Sequence, residues 1–264
     1  MTAVSAGLVK ELRDLTGAGM MDCKRALVET NGDLEEARRL LREKGLADAG
    51  KRAGRETTEG KVLVRVEDGR GAIVAVGSET EPVSKNDEFL DFGERLLDLV
   101  FAEGPESVSD LEDERVEAVA KLGENVVVVG AERYEGGEGE VVASYVHPPA
   151  AKIGVLVLAR SSPELARMVA MHVAAARPAY VSREEIPESE VAKEREIYEK
   201  LPEVASKPEH VRPKIVQGMI EKRLFAQSVL LEQDWIHDPS VKVGQALAEH
   251  GSEVRAFALF NVGQ

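Results

Sequence analysis

The sequence predicts an α+β protein built from several packing units, and three observations carry that expectation. Helical and strand-like apolar periodicities occupy separate stretches of the chain. One order of elements (hairpin, helix, helix, strand) occurs twice. A highly charged helical stretch interrupts its second occurrence. The expected division is a three-helix unit over 1–46, a linker over 47–59, a first core subdomain over 60–137 and a second over 138–264. A helical insert of about 182–230 lies within the second.

The first unit reads as three short helices. Leu8, Leu12 and Leu15 fall at helical spacing before Thr16-Gly17, which has the form of a helix stop. Met20, Cys23 and Leu27 share the next stripe, which ends at Asn31-Gly32. Asp33 with Glu36 three positions on reads as an N-cap ahead of Leu34, Ala37 and Leu41. "ADAGKRAGRETTEG" then reads as a polar linker, and Lys51, Arg52 and Arg55 in it suit either a solvated segment or a nucleic-acid contact.

Strand texture follows. Val62, Val64 and Val66 alternate, and Asp68-Gly69 turns the chain into "GAIVAVG", a hairpin signal. Asn86 is the expected cap of a helix carrying Phe89, Phe92, Leu96 and Val100. A second helix around Arg115 to Leu122 leads through Gly123 into "NVVVVGAERY". Beyond "EGGEGE" the order recurs: "GEVVASYVHPPAAKIGVLVLAR" mirrors the hairpin and "SPELARMVAMHVAAA" its helix, while "VGQALAEHGSEVRAFALFNV" mirrors the closing helix and strand. Between them "ESEVAKEREIYEKL" and "EHVRPKIVQGMIEKRLFAQSVL" read as the two arms of a helical hairpin.

The 264 residues are 43% apolar, enough for more than one core, and carry a formal net charge of −14. That balance repels nucleic acid and anionic lipid, and aromatics at 4% leave few stacking platforms for bases. Cys23 is the only cysteine, which excludes an internal disulfide and any multi-cysteine metal site. No stretch has the form of a signal peptide or of a membrane span, so a cytoplasmic protein is expected.

Enzymatic motifs are missing: there is no glycine-rich dinucleotide fingerprint, phosphate loop or nucleophile elbow. His147, His172, His210, His237 and His250 form no close ligand pair. His172, in the otherwise apolar "MVAMHVAAA", is either a hydrogen-bonded core histidine or a functional one. No cofactor is expected, and binding suits the chain better than catalysis. Met20 can serve the small core with Cys23 and Leu27. Met21, one position round and next to Lys24 and Arg25 on its face, should be at least partly exposed. It is then either an ordinary surface residue or adaptable apolar surface for a protein partner.

"VKELRDLTGAGMMDCKRALVETNGDLEEARRLLREKG" closely resembles the N-terminal signature of the bacterial elongation factor Ts family. "GSETEPVSKNDEF", "MHVAAARP", "IVQGMIEKRLFAQSVLLEQ" and "DPSVKVGQAL" extend the likeness over almost the whole chain. The resemblance implies a ubiquitin-associated-like helical domain, two core subdomains and a coiled-coil hairpin. It implies a guanine nucleotide exchange factor that acts on elongation factor Tu, GDP-bound and nucleotide-free, with no catalytic chemistry of its own. It implies no direct nucleic-acid or membrane contact, and a homodimer of the complex is one expected assembly. Arg13, Met20 and Met21 stand at the family's docking positions, and His172 near a second contact. The family's Thr-Asp-Phe-Val stretch, which disturbs the partner's magnesium site, corresponds to Thr80, Glu81, Pro82 and Val83. Glu81 keeps the charge on a longer stem, and Pro82 puts a small rigid ring where the family has a phenyl ring. The other readings are a ubiquitin-associated-like adaptor for another ribosome-associated partner, a non-exchanging paralogue, or an enzyme using the cleft between subdomains.

Overall fold

The computed structural model describes residues 4–263. Its first three helices are α1 (Ala6–Thr16), α2 (Met20–Glu29) and α3 (Leu34–Arg52). Ser5 caps α1 by accepting from the Leu8 N–H, and Gly17 ends it in the left-handed conformation that a side chain would disfavour. Asp33 Oδ1 accepts from the Glu36 N–H at 2.9 Å, as the spacing predicts for the start of α3. Val9, Leu12, Cys23, Ala26, Leu27 and Ala37 form the small core.

Two expectations about this unit are corrected. Met20 does not serve the core: it is 55% exposed, because it is the first residue of α2 and the buried stripe begins one turn later, at Cys23. Leu15 is likewise exposed, and Val9 takes the core place with Leu12. The stretch read as a linker is helical as far as Arg52, since the alanines and charged residues after Leu41 include no proline to break the helix. Gly45 of α3 lies so close to α6 (Glu112–Leu122) that a Cβ there would sit 2.8 Å from that of Ala120. Arg42 and Asp113, 3.1 Å apart, span the same contact.

β1 (Glu59–Glu67) and β2 (Arg70–Ser78) form an antiparallel hairpin whose two turn residues, Asp68 and Gly69, both have positive φ, as a tight type I′ turn requires. α4 (Glu81–Ser84), α5 (Asp87–Glu103) and α6 follow, and β3 (Val126–Glu135) returns beside β2. The second half repeats this arrangement. β4 (Val141–Val146) and β5 (Ile153–Arg160) pair, and α7 (Pro163–Ala176) crosses the sheet. α12 (Val243–Glu249) then leads to β8 (Glu253–Asn261), which lies beside β5. Each three-stranded sheet has its hairpin's second strand in the centre and a register shift on the closing strand.

The central strands read as unbroken apolar runs because both their faces are covered. Ala72, Val74 and Val76 of β2 face α5, together with Phe89, Phe92 and Leu96. The intervening Ile73 and Ala75 face the other sheet, with Val62, Val142 and Leu156. β5 alternates likewise: Val155, Val157 and Ala159 lie under α7 and α12, and Leu156 faces the first sheet. The result is four layers, helix, sheet, sheet and helix, with three apolar interiors. At Gly154 the sheets approach so closely that an added Cβ would overlap Val62 Cγ1.

The insert consists of α8 (Glu188–Lys200), α9 (Pro202–Ala205) and a rod made of α10 (Arg212–Met219), a π-helical stretch (Ile220–Phe225) and α11 (Ala226–Ser228). Tyr198, Val204, Val216, Ile220 and Leu224 give it a core of its own. At its base the Ala179 and Tyr180 N–H groups donate to Ser228, and Leu230 N–H donates back to Tyr180. The strands β6 (Asp234–Trp235) and β7 (Asp238–Lys242) then lead into α12. Among the described residues no helix is long and apolar enough to cross a membrane.

Candidate functional site

β2 delivers the chain to Thr80, which stands in extended conformation ahead of α4. Pro82 lies in the first turn of that helix, where its fixed φ is suited and its missing N–H leaves no bond unmade. Thr80, Glu81 and Pro82 are exposed, and Val83 is half-buried against the core beneath α5. Ser84, buried behind the apex, donates its hydroxyl to Glu81 O at 2.8 Å. The stretch is therefore a short projection on a fixed base.

Its charge is defined by lysines. Lys85 Nζ lies 2.7 Å from Glu81 Oε1, one helical turn on, and that hydrogen bond holds the Glu81 carboxyl below the usual range. Lys152 and Lys61 lower it further from greater distance. Both members of the Glu81–Lys85 pair are exposed, so water competes for each and a partner can take the carboxylate.

Behind the apex, carboxylates from two strand ends cross. Glu124 accepts from the Thr80 hydroxyl at 2.7 Å and from the Thr80 N–H at 3.0 Å. Glu79 accepts from the Asn125 N–H at 2.7 Å and lies 3.4 Å from Arg55 Nη1. Asn125 in turn donates its side-chain amide to Arg55 O at 2.9 Å. Four residues before Asn125, Lys121 packs against Gly17 of the N-terminal unit and binds Glu88 at 2.9 Å. The corner from Lys121 to Asn125 thus touches the turn after α1, the segment after α3 and the base of the apex.

Arg13 and Met21 are exposed, Met21 by 63%, as its position beside Lys24 and Arg25 predicts. Met21, Leu15 and Val28 line a cleft of 1330 Å³ between the N-terminal unit and α6. Its walls carry Lys24, Arg25 and Arg38 in a chain whose overall charge is strongly negative.

His172 is wholly buried, so in this structure it presents no surface to a partner. Its Nδ1 accepts from the Ile236 N–H, which leaves Nε2 to donate to Gln233 Oε1 at 2.9 Å. Gln233 donates to Gln227 O at 2.6 Å and to Ala176 O at 3.3 Å, tying α7 to the exit of the insert. Trp235 stacks on the imidazole, with ring centroids 5.2 Å apart, and burial pushes the His172 pKa down. Ile236 and His237, which follow Trp235, are exposed.

Among the described residues no group of histidines, cysteines and carboxylates is placed to hold a metal ion. A family model described as Elongation factor TS matches residues 79–264, from the apex through both subdomains. The chain belongs to the elongation factor Ts family. The Elongation factor Ts of Alkalilimnicola ehrlichii is 42% identical over 99% of this chain and 93% of its own. That of Ectopseudomonas mendocina is 42% identical over 100% and 92%, and that of Pasteurella multocida 41% over 100% and 93%. Membership of the elongation factor Ts family makes this a protein of translation elongation.

Sequence reasoning points to Thr80–Val83 but not to the residues that hold them. Lys85 was readable as the helical i+4 neighbour of Glu81. Glu124, 44 residues from Thr80, carried no local signal, and neither did Gln233, 61 residues from His172.

Proposed function

We propose that this chain is a guanine nucleotide exchange factor that promotes release of GDP from elongation factor Tu in the cytoplasm. The observation that carries the reading is the acidic apex: an exposed carboxylate on a projection whose backbone is tied down behind it. An exchange factor must bind the nucleotide-free partner more tightly than the GDP-bound one, and nucleotide must weaken its binding by the same factor. A carboxylate brought against the magnesium site of the partner opposes ion and nucleotide together, and Glu81 is the group for that task. Thr80 and Val83 hold its two sides, and Pro82 supplies a small apolar contact beside it.

Docking falls to the N-terminal unit, read as ubiquitin-associated-like, through Arg13, Met20 and Met21. Exposure of both methionines favours this, since adaptable apolar side chains in water gain most from a partner. His172 enters through its neighbours: the second contact belongs to Ile236 and His237, which the buried imidazole and Trp235 support. The insert, read as a coiled-coil hairpin, offers a further surface for a partner domain or for a second copy of the complex.

The test is release of fluorescent GDP from the cognate elongation factor Tu. Strong acceleration, with the complex dissociated by added GDP, is expected. Binding without acceleration would make the chain a non-exchanging paralogue, and binding indifferent to GDP would make it an adaptor.

A further inference from the structure

The clasp behind the apex has a feature that a structural tie alone does not need. Both oxygens of Glu124 are committed to one residue: Oε1 takes the Thr80 hydroxyl at 2.7 Å and Oε2 the Thr80 N–H at 3.0 Å. Thr80 precedes Glu81 directly, so fixing its backbone N–H and its χ1 together fixes the direction in which α4 leaves the sheet. Ser78 Oγ donates to Thr80 O at 3.2 Å, which fixes the other side of the same residue. Glu124 follows Gly123, which ends α6 in the left-handed conformation, so the carboxylate stems from a turn of defined shape. α6 is also the helix that the N-terminal unit packs on, through Gly45 against Ala120 and Gly17 against Lys121.

We infer that Glu124 is a positioning residue for exchange: it aims the Glu81-Pro82 apex and ties that aim to the helix on which the docking unit sits. This rests on the exchange reading above. Glu124 touches neither nucleotide nor magnesium in this scheme. Its loss leaves docking intact and lets the apex sample directions that do not reach the partner's magnesium site. The signature is a fall in the maximal rate of GDP release with little change in the concentration of factor needed for half of it.

The experiment titrates wild type and variants against elongation factor Tu loaded with fluorescent GDP. Glu124→Ala is expected to lower the maximal release rate about tenfold, with the half-saturating concentration changed by less than about twofold. Glu124→Gln keeps one good acceptor and should lose only about threefold. Thr80→Val removes the hydroxyl donor and should add nothing further in the Glu124→Ala background, because the bond that the hydroxyl makes is already lost there. Val100→Ala, which removes buried methyl groups at the end of α5 away from the apex, is the control for destabilisation and should leave the maximal rate unchanged. A wild-type maximal rate in Glu124→Ala, a loss confined to half-saturation, or additive losses with Thr80→Val would each overturn the inference. If Glu124→Ala fails to fold by circular dichroism, Thr80→Val and Glu124→Gln taken singly decide it: each must lower the maximal rate with half-saturation changed by less than about twofold, and a wild-type maximal rate in both would overturn the inference. If wild type itself does not accelerate release, the exchange reading fails and the inference falls with it. A wild type that exchanges beside an equally active Glu124→Ala sinks the inference alone.

Discussion

Changing Glu81→Asp together with Pro82→Phe gives the apex a shorter carboxylate and an aromatic ring. Both positions are exposed and the backbone beneath them is held by Glu124 and Ser84, so the change is confined to side chains on the surface. An enclosed aromatic side chain buries about 150–250 Å². Taking roughly 100 Å² of that as the gain over the pyrrolidine ring, at ~25 cal/mol per Å², the pair offers about 2.5 kcal/mol of new contact. Only the part made while the magnesium site is being displaced raises the rate. If half is of that kind, the maximal rate of GDP release increases about tenfold. The cost in the free protein is small: removing an exposed proline loosens the unfolded chain by about 0.4–1 kcal/mol, a shift of roughly 2–4 °C in Tm at most. Stopped-flow release of fluorescent GDP at saturating factor measures the first quantity and a thermal melt the second. An unchanged maximal rate in a variant that still binds elongation factor Tu would refute the assignment of Glu81 and Pro82 to magnesium displacement.

Three further outcomes are expected. Gly154→Ala pushes a Cβ into Val62 between the sheets and should cost about 1–3 kcal/mol by chemical denaturation, without altering the apex. Within the N-terminal unit the two kinds of apolar residue should separate. Leu12→Ala, wholly buried, should destabilise by about 2–5 kcal/mol, whereas Met21→Ala should stay within about 0.5 kcal/mol yet weaken binding to elongation factor Tu by roughly tenfold in calorimetry. Burial lowers the pKa of His172 in the folded chain, so below about pH 6.5 the unfolded state takes up a proton that the native state refuses. Its contribution is therefore full above that pH and falls as the pH descends towards the folded value. His172→Gln should narrow the difference in unfolding free energy between pH 7.5 and 5.5, and an unchanged difference would remove His172 as a source of acid sensitivity.

Local chemistry made much of this fold readable. Asp68-Gly69, Asn86, Asp33 and Gly17 each act on neighbours within four residues, so their effects on turns and caps are written beside them. Phe89, Phe92, Leu96 and Val100 repeat at the helical period and are all buried under the first sheet. The misreadings share a cause: Met20 and Leu15 obey the helical period yet lie at helix ends, where the stripe has already left the core. The stretch from Ala47 to Arg52 reads as linker because polarity alone does not distinguish a solvated coil from the exposed last turns of a helix. The clasp was invisible for another reason. Glu124 and Thr80 meet because β2 and β3 are neighbours in the sheet, and that neighbourhood depends on the whole topology.

The apolar layer between the two sheets bears on how work is shared in a complex. Val62, Ile73, Ala75, Val142, Leu156 and Val262 come from both subdomains and form one interior, so neither half can tilt without opening it. The apex belongs to the first half, and Ile236 and His237 to the second. Their separation is that of points on a caliper whose jaws are locked. On the exchange reading proposed above, a partner gripped at both would have to adopt that spacing. The same reading then asks for no change of shape in the factor during exchange: it would act as a gauge of fixed span.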